Sequence, residues 1–184
     1  MDRDDAYWMG KAIDQARRAE VIGEVPIGAV IVKDGKVIAR GHNLRESRQD
    51  PSAHAEMIAI RKAAKKLGSW RLTGATLYVS LEPCTMCMGA VILARLDRVV
   101  FGSFDPKGGA AGSLYDFSND SRLNHSVVLT SGVRGEETSA LLSDFFSALR
   151  ARKKEAKAAK VAAAQLLVAD TDVEGEAVAS ASAA

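Results

Sequence analysis

The sequence predicts an α/β fold with its chemistry at the carboxyl ends of strands. Three observations carry this. Strand-like and helix-like runs alternate along most of the chain. Asp34-Gly35 between two apolar runs reads as a hairpin turn, since both residues tolerate positive φ. Two helix N-termini, each after a strand and a connecting loop, carry the clustered His, Glu and Cys residues, and open α/β sheets bind ligands at such places.

Asp4 or Asp5 can cap a first helix through Val21, with Tyr7, Trp8, Ala12, Ile13, Ala16 and Ala19 as its apolar stripe. Gly23-Glu24-Val25-Pro26 ends it. Ile27 to Val32 and Val37 to Arg40 are the first two strands. Leu44 to Asp50 is polar and reads as a loop. Pro51 and Ser52 then open a helix from Ala53 to Leu67, stopped by Gly68. Ala75 to Leu81 is a buried strand. Pro83 ends it, and a helix follows from Cys84 to Ala94. Asp97 to Gly102 and Ser126 to Thr130 are the fourth and fifth strands. The last helix starts at Glu136 and carries Leu141, Leu142, Phe145 and Phe146.

The chain has 184 residues, enough for one domain with a sound core. That domain is expected over 1–150. From Ala151 the composition turns to alanine and lysine, then to acidic and Ala/Ser-rich from Asp170. The expectation for 151–184 is a frayed helix as far as Val168, then a disordered tail. Its basic run, Arg152 to Lys160, suits contact with RNA phosphates or a solvated face. A net charge of +2 argues for no partner by itself. The acidic N-terminus, without an apolar core, is not read as a secretory or transit segment. Two close cysteines then point to a reducing, cytoplasmic setting. No apolar run approaches the length of a membrane span.

Asp50-Pro51-Ser52-Ala53-His54-Ala55-Glu56 and Leu81-Glu82-Pro83-Cys84-Thr85-Met86-Cys87 read together as one metal site. A catalytic zinc takes three protein ligands and keeps one position for water. His54, Cys84 and Cys87 form that set, with one Zn2+ per subunit. Glu56 is the candidate proton carrier, a carboxylate beside the metal and not a ligand. Cysteines three apart on a helical turn share a face, and a helix N-terminus favours thiolates. Residues two apart on a helix do not share a face, so periodicity alone does not bring His54 and Glu56 together. Cys-x-x-Cys can also be a redox pair or half of a structural site. The redox reading lacks its βαβ context, while His42 or His125 can close a four-ligand site. The combined His-x-Glu and Pro-Cys-x-x-Cys pattern is the signature of zinc nucleobase deaminases. The glycine-rich stretch Asp105 to Ser113 has no Walker spacing, so a P-loop is rejected, and its composition alone reads as a connector.

Over residues 5–150 the sequence resembles the bacterial tRNA adenosine deaminases. The resemblance runs through Glu24 to Val30, Asn43, both metal motifs, Val99 to Gly102, Asp105-Pro106-Lys107 with Gly109 to Ser113, Asn124-His125 and Leu141 to Phe146. It implies a three-layer α/β/α sandwich around a five-stranded mixed sheet, of the cytidine deaminase type. It implies a homodimer with active sites near the interface, and hydrolysis of wobble adenosine to inosine in a tRNA anticodon loop. Zinc would sit on His54, Cys84 and Cys87, with Glu56 shuttling protons and Asn43 facing the base. Asp105, Lys107, Asn124, His125, Phe145 and Phe146 would lie along the anticodon-loop groove. Ser147 to Arg150 is less basic than the family's usual end.

Without the resemblance each residue has a plainer reading. Asn43 can make a turn, Asp105 precedes a proline, Asn124-His125 can cap a loop, and at least one of Phe145 and Phe146 should pack inward. Two rival functions stand beside this one. A deaminase of a free base or nucleoside, guanine or cytosine, shares the metal site but needs no RNA groove. An RNA-binding module with structural zinc would show a fourth protein ligand.

Overall fold

The computed structural model describes residues 3–181, with side chains as far as residue 160 in the final helix. Two compact units are present, Met1–Phe145 and Phe146–Ala184.

In the first unit, α1 (Asp5–Val21) is capped by the Asp4 side chain, which accepts from the Tyr7 N–H at 2.8 Å. β1 (Gly28–Lys33) and β2 (Lys36–His42) form the expected hairpin, with Asp34 and Gly35 both at positive φ. A short helix, α2 (Arg45–Arg48), interrupts the segment expected to be loop. α3 (Ala55–Leu67) leads to β3 (Ala75–Leu81), α4 (Thr85–Leu93), β4 (Arg98–Ser103) and β5 (Val128–Thr130). The last helix, α5, spans Gly135–Ala181. It runs past Asp170, where the sequence suggests disorder, and alanine's high helix propensity accounts for the continuation. The expected disordered end at 182–184 lies outside the described residues.

The five strands form one mixed sheet in the order β2-β1-β3-β4-β5. β1 is antiparallel to both neighbours, while β3, β4 and β5 are parallel. Strand alternation splits the sheet's side chains into two cores. Val30, Val32, Tyr78 and Val100 pack with Trp8, Met9, Ala12 and Ile13 of α1. Ala29, Ile31, Leu77, Val79, Val99 and Phe101 pack on the other face with Ala59 and Ala63 of α3 and Met88 and Val91 of α4. This is the three-layer α/β/α arrangement. Tyr7 stays out of the core at 39% exposure, against expectation, and stacks under Arg3.

The topology also fixes where the site lies. β2 and β3 each run antiparallel to β1, so they share a direction. β4 is parallel to β3, with Leu81 opposite Ser103. The carboxyl ends of β2, β3 and β4 therefore meet along one edge, and α3, α4 and the loop 105–113 begin there. Gly41, near the end of β2, has no room for a Cβ, which would overlap the backbone of Ala55 in α3. That close approach holds the start of α3 on the sheet.

Candidate metal centre

His54 is the N-cap of α3, with extended φ −72° and ψ 152°. Cys84 is likewise the N-cap of α4, at φ −75° and ψ 175°. Both were expected inside the first turn. Ser52 explains the first case, because its N–H and hydroxyl both bond Asp50 Oδ1, at 2.8 and 2.7 Å, and hold 50–52 as a turn outside the helix. The consequence is geometric. An extended cap residue is not bound to the helical 100° step, so helical periodicity does not decide where His54 points relative to Glu56.

His54 Nδ1 lies 3.7 Å from Cys84 Sγ and 3.6 Å from Cys87 Sγ. All three donor atoms fall within 4.8 Å of one another. Tetrahedral ligands at ordinary Zn–N and Zn–S lengths stand about 3.6 Å apart, so this spacing fits a zinc-sized cation. Neither His42 nor His125 belongs to the group. Glu56 does not belong to it either. The three residues thus supply one nitrogen and two sulfurs, a borderline-soft set suited to zinc with a position left over.

The electrostatics match that assignment. The Cys84 thiol is pulled down to about 4, chiefly by its hydrogen bond with Cys87 and further by His54. Cys87 is pushed the other way, first by the same hydrogen bond with Cys84, then by burial and by the charge of Glu56 beside it. His54 is raised, mainly by Cys84. Glu56 is 4% exposed, and burial raises its carboxyl above the usual range. Its Oε2 is a buried oxygen with no hydrogen-bond partner. An orphaned acceptor of that kind is expensive unless a proton or a ligand meets it.

Two further buried carboxylates frame the centre, and neither was assigned a role from the sequence. Glu82 is 2% exposed. Its oxygens accept from the N–H groups of Asp105, Ala111 and Ser113 at 2.9, 3.0 and 2.9 Å, and from the Ser113 hydroxyl. A Cβ at Gly109 would overlap this carboxylate. The glycine-rich stretch is therefore a clasped loop and not a slack connector. It is tied to the metal motif by a bridge between Cys84 and Gly109 and by the Ala110 N–H donating to Pro83 O at 2.9 Å. Glu24, 1% exposed, accepts from Asn43 and Ser47. One signal was available for both. Glu82 stands next to Pro83 and Glu24 two positions before Pro26, each beside a strand destined for burial.

The remaining expected site residues divide. Asn43 is buried, and the adjacent Leu44 N–H donates to Ala53 O at 3.0 Å, which seats it beside His54. Asp105 makes an Asx turn, accepting from the Lys107 N–H at 3.0 Å, and Lys107 is exposed. Asn124 Oδ1 accepts from Arg95 at 2.7 Å, and His125 Nε2 donates to Leu96 O at 2.7 Å. These two sit at the C-terminal end of α4, away from its cysteine end. Phe145 is buried and Phe146 is 40% exposed.

A family model described as MafB19-like deaminase matches residues 3–150. The tRNA-specific adenosine deaminase of Bacillus subtilis is 55% identical over 157 residues, covering 85% of this chain and 97% of its own. The chain belongs to the tRNA-specific adenosine deaminase family. A solved structure from a study of A-to-I editing by tRNA:A34 deaminases superposes with a TM-score of 0.71 at 46% identity, covering 74% of this chain and 99% of that one. The fold extends to more distant deaminases. The guanine deaminase structure from Bacillus subtilis matches with a TM-score of 0.56 at 34% identity, covering 80% of this chain and 94% of that one. Among the described residues, no helix of this family member is long and apolar enough to cross a membrane.

Proposed function

We propose that this chain deaminates adenosine to inosine by hydrolysis at the wobble position of a tRNA anticodon, with one zinc ion per subunit. One observation carries the reading: His54, Cys84 and Cys87 converge beside a buried glutamate whose Oε2 has no partner, in a chain 55% identical to a tRNA-specific adenosine deaminase.

His54, Cys84 and Cys87 would hold the zinc, which when bound supplies a Lewis acid able to ionise water near neutral pH. Glu56 takes the proton from the attacking water, which adds to adenine C6. Glu56 passes that proton to ring N1, then carries the proton of the hydroxyl added at C6 to the amine as the C6–N bond breaks, so water and adenosine become inosine and ammonia. Its burial suits this work, since a carboxylate whose pKa lies above its usual range is a stronger base than an exposed one. Asn43 faces the base. Asp105 and Lys107, on the loop bridged to Cys84, would meet the anticodon loop, and Asn124 and His125, at the opposite end of α4, would reach it from the second copy. A single-stranded loop is the natural substrate, because its target base leaves the stack at lower cost than one in a duplex.

The partner of the chain is a second copy. Leu93 and Leu123 stand exposed beside Phe117 and Asn124 along an open groove at the end of α4, and an apolar surface of this kind suits a homodimer interface. The deaminase domain is 1–150. In the second unit Arg150, Lys153, Lys154, Lys157 and Lys160 recur at helical spacing, all exposed, as phosphate contacts would. The setting is the cytoplasm, where thiols stay reduced.

The test is direct. Purified zinc-loaded protein is incubated with a tRNA anticodon stem-loop, and separately with free adenosine, guanine and cytosine. Inosine at the wobble position is read by sequencing and ammonia release is followed. Conversion of the stem-loop alone is expected. Turnover of a free base with an untouched stem-loop would replace this reading by the free-base deaminase.

A further inference from the structure

Glu24 occupies the turn between α1 and β1, held by its N–H donating to Ala19 O at 3.0 Å. It is 1% exposed. No ion pair engages it among the described residues. Three donors meet its oxygens: Oε2 accepts from Asn43 Nδ2 at 3.1 Å, and Oε1 accepts from the Ser47 N–H at 2.6 Å and the Ser47 hydroxyl at 2.7 Å. Burial pushes the carboxyl up, and the Ser47 donors, with the Glu46 N–H and the charge of Arg45, hold it below its usual range.

A side-chain amide has two ends of nearly equal shape and opposite polarity. Left to itself, Asn43 could meet a base with either end. A carboxylate accepts and never donates, so Glu24 removes that freedom. One Nδ2–H is committed to Oε2, and Oδ1 and the second Nδ2–H are left in one fixed order. Ser47 secures the carboxylate from the other side, so the carboxylate itself cannot swing. Fixing a short helix through Ser47 would not require a buried charge, because an amide oxygen can accept from both Ser47 donors. What the charge adds is control over Asn43.

We infer that Glu24 is a positioning residue which sets the polarity of the Asn43 amide, and thereby the pattern of donor and acceptor that the target base meets. The inference rests on the proposed deaminase reading for what Asn43 faces. It assigns to Glu24 a part in choosing the base, although Glu24 touches neither metal nor substrate.

Glu24→Gln tests it with almost no change of shape. The Ser47 N–H can only donate, so the substituted amide keeps its oxygen on Ser47 and turns its nitrogen toward Asn43. Asn43 then satisfies that donor only by reversing, with Oδ1 inward. The expected result is a folded protein with full zinc content whose kcat/KM on the anticodon stem-loop falls about 100-fold, the scale of a misplaced substrate-positioning group. Ser47→Ala keeps the bond between Glu24 and Asn43 and should change kcat/KM by no more than about threefold. Nuclear magnetic resonance gives a readout independent of turnover. In the unaltered protein the Asn43 NH2 pair should be locked and correlated with the Glu24 carboxyl carbon, and this signature should vanish in Glu24→Gln. Should that variant not fold, the unaltered protein still decides, because an Asn43 amide that flips freely overturns the inference. So does unchanged kcat/KM in Glu24→Gln, or an equal loss in Ser47→Ala. If the unaltered protein leaves wobble adenosine unconverted, the deaminase reading falls, while the resonance measurement still settles whether Glu24 fixes Asn43.

Discussion

Glu56 in the metal pocket and Glu82 under the loop 105–113 are buried almost equally, at 4% and 2% exposure, yet they behave as opposites. Burial raises both carboxyls. At Glu56 it prevails, and one oxygen has no partner. At Glu82 the donors from Ser113, Asp105 and Ala111 outweigh burial and hold the carboxyl below its usual range. Depth therefore does not tell a proton carrier from an anchor. The count of donors does, since a carboxylate saturated with N–H bonds has no reason to take a proton and an orphaned one has every reason.

The largest effect that can test this contrast removes the pocket's cation. Cys87→Ser should lose zinc and all measurable turnover together, and metal analysis showing full occupancy would break the ligand assignment. Glu56→Gln should keep the metal and lower kcat by about 10² to 10⁴, the range of a general acid–base group. The same substitution should raise the melting temperature of the metal-free protein, corresponding to about 0.5–2 kcal/mol, because an unsatisfied carboxylate is relieved. Glu82→Gln should do the reverse, costing about 1–3 kcal/mol, because an amide nitrogen now faces backbone donors. Equal signs in the two melting experiments would end the comparison.

Acid titration sharpens it further. Glu82 contributes stability above its unfolded pKa near 4.5, and this is lost as pH falls through the lower folded value. Glu82→Gln should therefore lose less stability than the unaltered protein on acidification below pH 4.5. Glu56 runs the other way: its folded pKa is raised, so metal-free protein gains stability as pH falls from that value toward 4.5. The smallest expected effect is at exposed Lys107. Lys107→Ala should raise KM for the stem-loop by roughly threefold or less, an effect that high salt removes.

Much of the fold was legible because strands and helices announce themselves by period. The Asp34-Gly35 hairpin, the Ala75–Leu81 strand and the cysteine helix needed only local pattern. The metal set was legible from residue types at fixed spacing. Other features depend on partners far along the chain. Ser47 bonds Glu24 across 23 positions, and Ala111 and Ser113 bond Glu82 across 29 and 31. No window of sequence contains both ends of such a bond. α2 escaped notice for the same reason, since Ser47 within it is held by Glu24 and not by an apolar stripe. The cap positions of His54 and Cys84 escaped because one residue decides them: helix boundaries blur by one or two positions, while the direction of a ligand turns on that residue.

The two extended cap residues have a mechanical consequence. His54 and its cysteine partners are separated by 30 and 33 positions in the chain, so a cation between them closes a long loop and rivets the heads of α3 and α4 together. Chelation should then do more than silence the enzyme. Amide hydrogens in the first turns of both helices should begin to exchange with solvent at the same moment, as two planks loosen when one bolt is drawn.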